Sequence, residues 1–234
     1  HIEAHSFPTR RSSDLSLSNK LANESSGSVS VYERIRRAME ELGTTYVKLG
    51  QMLSDRRDLL PVEMITELQK LQDKVEVQPI DIAEKFQREL GIDIHEHFEM
   101  LASEPMASAS IGQVFKGRLK NGQDVAVKIK REGIDEVIKA DLLILQDLVN
   151  FLEQRNDIIS NLQPKALLNT FKESITTELS LESERRSIER FANNFKQDSR
   201  ILVPQTYSNL SNNNILCMDF VYGSKVTNKA QIEQ

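Results

Sequence analysis

Two lysines in this sequence stand where their type and spacing could do chemistry. Lys128 closes the run Val125-Ala126-Val127-Lys128, a single cation on an otherwise apolar strand. A lysine so placed can pack its aliphatic stem while its ammonium reaches a cleft. Upstream lies a run of the smallest side chains, Ala107-Ser108-Ala109-Ser110, closed by Gly112. Small residues let backbone come close to a ligand. Lys48 begins the second group, Lys48-Leu49-Gly50-Gln51. Lys48 and Gln51 sit three apart, on one face of a helix, with Gly50 allowing close approach of another backbone. A bland reading of that group is a solvated Lys-Gln pair with a packing glycine.

The elements that must position Lys128 are legible around it. Gly112–Leu119 and Asp124–Ile129 are β-type runs joined by Lys120-Asn121-Gly122-Gln123, and Asn-Gly is a strong hairpin signal. A small-residue loop, a strand, a tight turn and a strand carrying one Lys is the nucleotide-cradle plan of a kinase N-lobe. The usual Gly-rich loop is replaced by alanines and serines. With that loop, the Val-Ala-Val-Lys strand and the Lys-x-Gly-Gln group in this order, the sequence resembles the UbiB-type atypical kinase-like family, also called ADCK, from about Val31 to about Asn228.

The resemblance implies an α+β chain: a helical extension over 31–104 and a five-stranded antiparallel kinase-like N-lobe over 105–228. It implies that Lys128 steadies the α/β-phosphates of ATP or ADP under the loop Ala107–Ser110. A kinase-type Lys needs a Glu partner on a neighbouring helix. Glu173, Glu178, Glu182, Glu184 and Glu189 are the candidates. The family pattern is Glu-x-Asp, a Glu four residues after the Asp, then Asn; this chain has Glu178-Leu179-Ser180, Glu184 and Ser187. Glu184 is therefore expected to hold Lys128, and Glu178 to pair with Lys48. Ser180 in place of Asp removes a negative charge. The resemblance also implies that Lys48 and Gln51 enter the cleft from the extension. It places Val114 and Ala126 against the nucleotide, and Met218-Asp219-Phe220-Val221 at the hinge that meets the adenine. Lys128 and Glu184 are 56 residues apart with a whole extra helix between them, which argues against a Ser/Thr or Tyr protein kinase.

Taken in order, His1 to Ser30 is polar and without apolar period, so it is read as disordered, with a non-native stretch through Leu15. Val31–Gln51 reads as two helices meeting near Gly43. Pro61 opens another as its first residue, and Pro79–Leu90 is one more, stopped by Gly91. His95-Glu96-His97 has no third ligand nearby and is read as exposed. Ile134–Gln154 is an amphipathic helix, and Pro164 opens one periodic segment running to Phe195. Ile201–Pro204 and Ile215–Phe220 are expected as the last two strands.

Net charge is −5, which excludes a basic field for nucleic acid. The single Cys217 excludes an internal disulfide. No apolar run reaches the ~20 residues of a membrane span. No catalytic loop or Asp-Phe-Gly follows, and Asp219-Phe220 lacks the Gly, so no metal ligand is assigned. Mg²⁺ is expected only with a C-lobe that this stretch lacks, and the stretch alone is expected to bind nucleotide weakly and not to catalyse. The parent is expected to be an atypical kinase or ATPase serving ubiquinone or other isoprenoid-lipid metabolism. By resemblance its partners are a lipid or membrane surface and a homodimer or lipid-biosynthesis complex. Its expected place is cytoplasmic, with a peripheral position on a bacterial-type inner membrane as the membrane option. A non-catalytic nucleotide-sensing scaffold and a helical interaction protein without a nucleotide site are the alternatives.

Overall fold

A computed structural model describes residues 29–72, 76–154 and 163–223. The expectation for residues 1–28, and the end of the second region at 228, lie outside the described residues. Helix α1 (Val31–Leu42) begins at Ser30, whose hydroxyl accepts from Glu33 N–H. It ends at Gly43, where φ is +99°, a backbone conformation that favours glycine, and α2 (Thr44–Ser54) starts at once. Helix α3 is Val62–Leu68, with Pro61 as its N-cap rather than its first residue. Helix α4 (Ile82–Leu90) starts at the Asp81 cap, later than the Pro79 expectation, because the Asp81 carboxylate takes the Glu84 N–H. A short α5 (Ile94–His97) leads into the sheet.

The sheet contains β1 (Phe98–Leu101), β2 (Ala107–Ser108), β3 (Gly112–Leu119), β4 (Asp124–Lys130) and β5 (Ile215–Asp219). All pairings are antiparallel, in the order β1-β3-β4-β5 with β2 also on β3. Gly122 takes the left-handed conformation that the hairpin turn requires, with φ +87°.

Two expectations are corrected here. Ile201–Pro204 forms no strand; only Thr206 bridges to Met218. Pro204 has no N–H for a ladder and Leu202 is 75% exposed, so backbone bonding to β5 starts past the proline, where Asp219 N–H donates to Gln205 O. The five strands are completed instead by β1 and β2. The long segment from Pro164 is also two helices, α7 (Pro164–Glu178) and α8 (Leu181–Phe195). Ser180 has extended backbone and caps α8 by accepting from Ser183 N–H, so it shares no helix face with Glu184.

The packing follows the strand alternation. Val125, Val127 and Ile129 of β4 face a core with Phe115, Phe86, Phe98, Ile215 and Cys217, in which Phe86 and Phe98 meet edge to face at 5.5 Å. A second core joins α7 to helix α6 (Ile134–Glu153) through Ile138, Leu145, Leu168, Phe171 and Ile175. Tyr46, Leu49 and Met52 of α2 pack against that second core, while Val47 faces a third one with Met64, Leu68 and Leu71. Helix α2 is thereby wedged between α3 of the extension and the α6–α7 pair. Gly50 permits this: a Cβ there would meet the Leu71 side chain at 2.3 Å, so its close neighbours are side chains rather than another backbone.

Candidate functional site

The face of the sheet opposite the Phe115 core carries the residues that the sequence singled out. Strand register places Val114, Lys128 and Leu216 in one cross-strand row and Lys116, Ala126 and Met218 in the next. Side chains two apart on a strand share a face, so Ala126 and Lys128 look out on the same side. Gly112 keeps β3 close to β4 at the end of this face, since a Cβ there would sit 2.8 Å from Ile129 O.

Lys128 Nζ meets Glu184 Oε2 at 2.7 Å, and both side chains are partly exposed. The acid lies in the first turn of α8, and the Glu184 N–H donates to Ser180 O, so the Ser180 cap sets the turn that presents it. Lys48 Nζ meets Glu178 Oε1 at 2.6 Å. The two acceptors end α7 and begin α8, on either side of a junction whose Leu179 and Leu181 are buried. Leu181 N–H also donates to Asn213 O, which fastens the junction to the turn before β5. Glu182 and Glu189 have different partners. Glu182 is held down to about 2 by its hydrogen bonds to Arg185 and Arg186, and Glu189 accepts from Arg185 and Thr206.

Gln51 parts from Lys48. Its amide Nε2 donates to Leu71 O at 3.3 Å, inside the extension, so the motif glutamine braces α2 against the chain after α3 instead of accompanying Lys48. The hinge residues also divide. Met218 belongs to the Lys128 face, whereas Asp219 points to the opposite side and accepts from Tyr207 Oη and Gln205 N–H. The N–H groups of Asp219 and Phe220 donate to Gln205 O and Asp124 O. Phe220 and Tyr222 close one end of the face over Lys116, whose Nζ is 4.8 Å and 5.1 Å from the two ring centroids. Asp124 beside them is depressed to about 2 by its hydrogen bonds to Arg118 and Tyr222.

At the other end is the Ala/Ser loop. Ala107 and Ser108 pair with Val114 and Gln113, and Ala109 N–H donates to Gly112 O at 2.9 Å. Ser110 is buried while Ala107 and Ala109 remain exposed. Two residues that sequence reading passed over hold this end. Gln113 is fully buried and bonds both backbone groups of Gln78, with Nε2 to O at 2.8 Å and N–H to Oε1 at 2.9 Å. Arg131 reaches back to the loop. Gln113 was detectable, because it occupies an inward position of the 113-115-117-119 alternation, where a polar group must find partners. Arg131 in a Lys-Arg-Glu-Gly turn reads like an ordinary surface cation.

An antiparallel sheet whose strand lysine is ion-paired to a glutamate at the start of α8 has the arrangement of a kinase-like lobe. The profile of the ABC1 atypical kinase-like domain matches residues 70–234, and the chain belongs to that family. It is 36% identical over 195 residues to the probable protein kinase UbiB of Pseudomonas aeruginosa, covering 83% of this chain and 37% of that protein. The UbiB relative from Cellvibrio japonicus is 37% identical over 204 residues, covering 86% of this chain and 36% of the relative. This chain thus spans little more than a third of the length of the curated relatives it matches. Among solved structures, that of the Mycobacterium tuberculosis Rv3197–erythromycin complex superposes with a TM-score of 0.54 at 26% identity, covering 90% of this chain and 51% of that one. Among the described residues no helix is long and apolar enough to cross a membrane, and no three His, Cys, Asp or Glu side chains gather as a metal site would need.

Proposed function

We propose that this chain forms the nucleotide-binding lobe of an atypical kinase or ATPase, with ATP or ADP on the Lys128 face of the sheet. The observation that carries this reading is the Lys128–Glu184 pair at 2.7 Å, on a face where Val114, Ala126 and Met218 offer small and apolar surface for a base. Glu184 holds the Lys128 ammonium in place, and Lys128 neutralises charge on the α/β-phosphates. The loop Ala107–Ser110 lies over the phosphates. Val221, whose N–H has no bond among the described residues, supplies the hinge donor to the adenine. Lys48, tied to Glu178 beside the same junction, narrows the cleft from the extension. A narrowed cleft favours ATP hydrolysis or a small phosphate acceptor over a protein acceptor. Kinase chemistry also draws on Mg²⁺; no residue described here is assigned to hold it. Service to ubiquinone or other isoprenoid-lipid metabolism, at a membrane surface, belongs to the same proposal and rests on the family.

The test is nucleotide binding and turnover by the full-length protein with Lys128→Ala and Glu184→Gln. Loss of nucleotide affinity in both variants, with unfolding midpoints unchanged, is the expected result. Binding equal to that of the unmodified protein would overturn the assignment. Lys128-dependent binding without any turnover in the unmodified protein would replace the enzyme with a nucleotide-sensing scaffold.

A further inference from the structure

Arg131 follows the Lys128 strand directly and is only 9% exposed. Its Nε donates to Ala109 O at 2.9 Å, and its Nη2 donates to Ser108 Oγ at 2.7 Å and to Glu76 O at 2.8 Å. Its backbone N–H donates to Ile111 O at 2.9 Å. One planar fork therefore gathers the Ala/Ser loop, the extension at Glu76 and the end of β4. Lysine cannot satisfy acceptors in that divergent geometry, because it offers a single nitrogen. Burial pushes the guanidinium pKa down, and the acceptors it meets here are neutral. Withdrawing a cation from water is costly without compensation, so this placement needs the full set of bonds.

The loop needs such a hold from outside. Ala107 and Ala109 are exposed and too small to anchor it by packing, and β2 pairs with β3 through only two residues. The feature that lets a loop lie close to phosphates, the absence of large side chains, also deprives it of its own anchor. Gln113 adds a second tie, binding Gln78 to β3. The extension segment 76–78 and the loop are thus joined as one unit.

We propose that Arg131 is the positioning residue that fixes the height of the Ala107–Ser110 loop over the sheet, and so sets the preference of the site between nucleoside di- and triphosphates. This rests on the nucleotide reading above. A loop held low leaves least room for the third phosphate. Releasing it moves the preference toward the triphosphate.

The experiment uses the full-length protein carrying Arg131→Lys, with Ser108→Ala as a milder variant that removes one of the Arg131 acceptors and leaves the cation. Dissociation constants for ADP and ATP are measured by calorimetry, and amide exchange is followed over residues 105–113. The expected result for Arg131→Lys is faster exchange in that segment and a shift of about tenfold in the ADP-to-ATP affinity ratio toward ATP, the scale of one or two lost hydrogen bonds. Ser108→Ala should shift the ratio the same way by a smaller factor. An unchanged ratio in folded Arg131→Lys, or a changed ratio without faster exchange, overturns the proposal. If Arg131→Lys does not fold, Ser108→Ala decides it by the same two readouts. If Lys128→Ala binds nucleotide normally, the nucleotide reading fails, while exchange over 105–113 still decides whether Arg131 holds the loop.

Discussion

The two faces of strand β4 differ in almost everything but their backbone. Val125, Val127 and Ile129 look into a core in which each is fully buried. Ala126 and Lys128, one residue out of phase, look onto a face bounded by Phe220, Tyr222 and the Ala/Ser loop. The first face is filled by apolar groups from α4, β1 and β5, whose burial stabilises the sheet. The second keeps an ion pair in partial contact with water, where its net contribution to stability is small. One face thus supports the fold, and the other is the one we propose for the nucleotide. Substitutions can test how cleanly that division holds.

The largest effect should come from the filled face. Phe115 is 1% exposed, and Phe115→Ala should lower unfolding free energy by about 3–5 kcal/mol, as large core truncations do. Chemical denaturation measures it; a loss below 1 kcal/mol would mean that the core collapses around the gap. On the open face, Lys128→Ala should weaken nucleotide binding by about 1.5–3 kcal/mol, the worth of a hydrogen bond to a charged group, and leave stability nearly unchanged. Calorimetric titration beside a melt shows whether binding and stability separate in this way.

Gly112→Ala tests the seam between the faces. The new Cβ would press on Ile129 O, a backbone atom that cannot swing aside. The expected cost is about 1–3 kcal/mol, with nucleotide affinity falling in parallel, as read from denaturation and titration of the same sample. Ser180→Ala should cost about 1 kcal/mol by removing the α8 cap, whereas Ser180→Asp should be close to neutral because Asp caps as well. Thermal unfolding of the two variants side by side discriminates cap from charge. The smallest perturbation uses the protein unaltered. Cys217 is fully buried on the filled face and its thiol is raised to about 12 by burial, with Asp219 adding to it. It should resist alkylation at neutral pH until the protein unfolds, since the thiolate is the reactive form. Rapid native labelling would show that the filled face opens.

Much of this arrangement is written locally. The Asn-Gly turn, the alternation along Gly112–Leu119 and Asp124–Lys130, and the Gly43 and Gly91 breaks each depend on a few adjacent residues, so the hairpin and the helix ends at those two glycines are legible to within a few positions. Lys128 stood out because a charge interrupting an apolar strand is a local anomaly. The pairing of Lys128 with Glu184 needed the resemblance as well, since periodicity left five acids open. Other features depend on contacts that no local pattern encodes. Ile201–Pro204 has strand-like composition, but nothing covers Leu202 and the segment adds no strand beside β5, whereas Phe98–Leu101, which Phe86 covers, pairs with β3 at the opposite edge. Gln51 shares spacing with Lys48, yet Leu71 O, twenty residues away, takes its amide. Arg131 became a latch only because folding gathered Glu76, Ser108 and Ala109 around it. Turns, caps and alternation are set by neighbours in sequence and can be read there. Which polar group meets which partner depends on where distant segments pack, and for Gln51 and Arg131 the tertiary structure alone decided it.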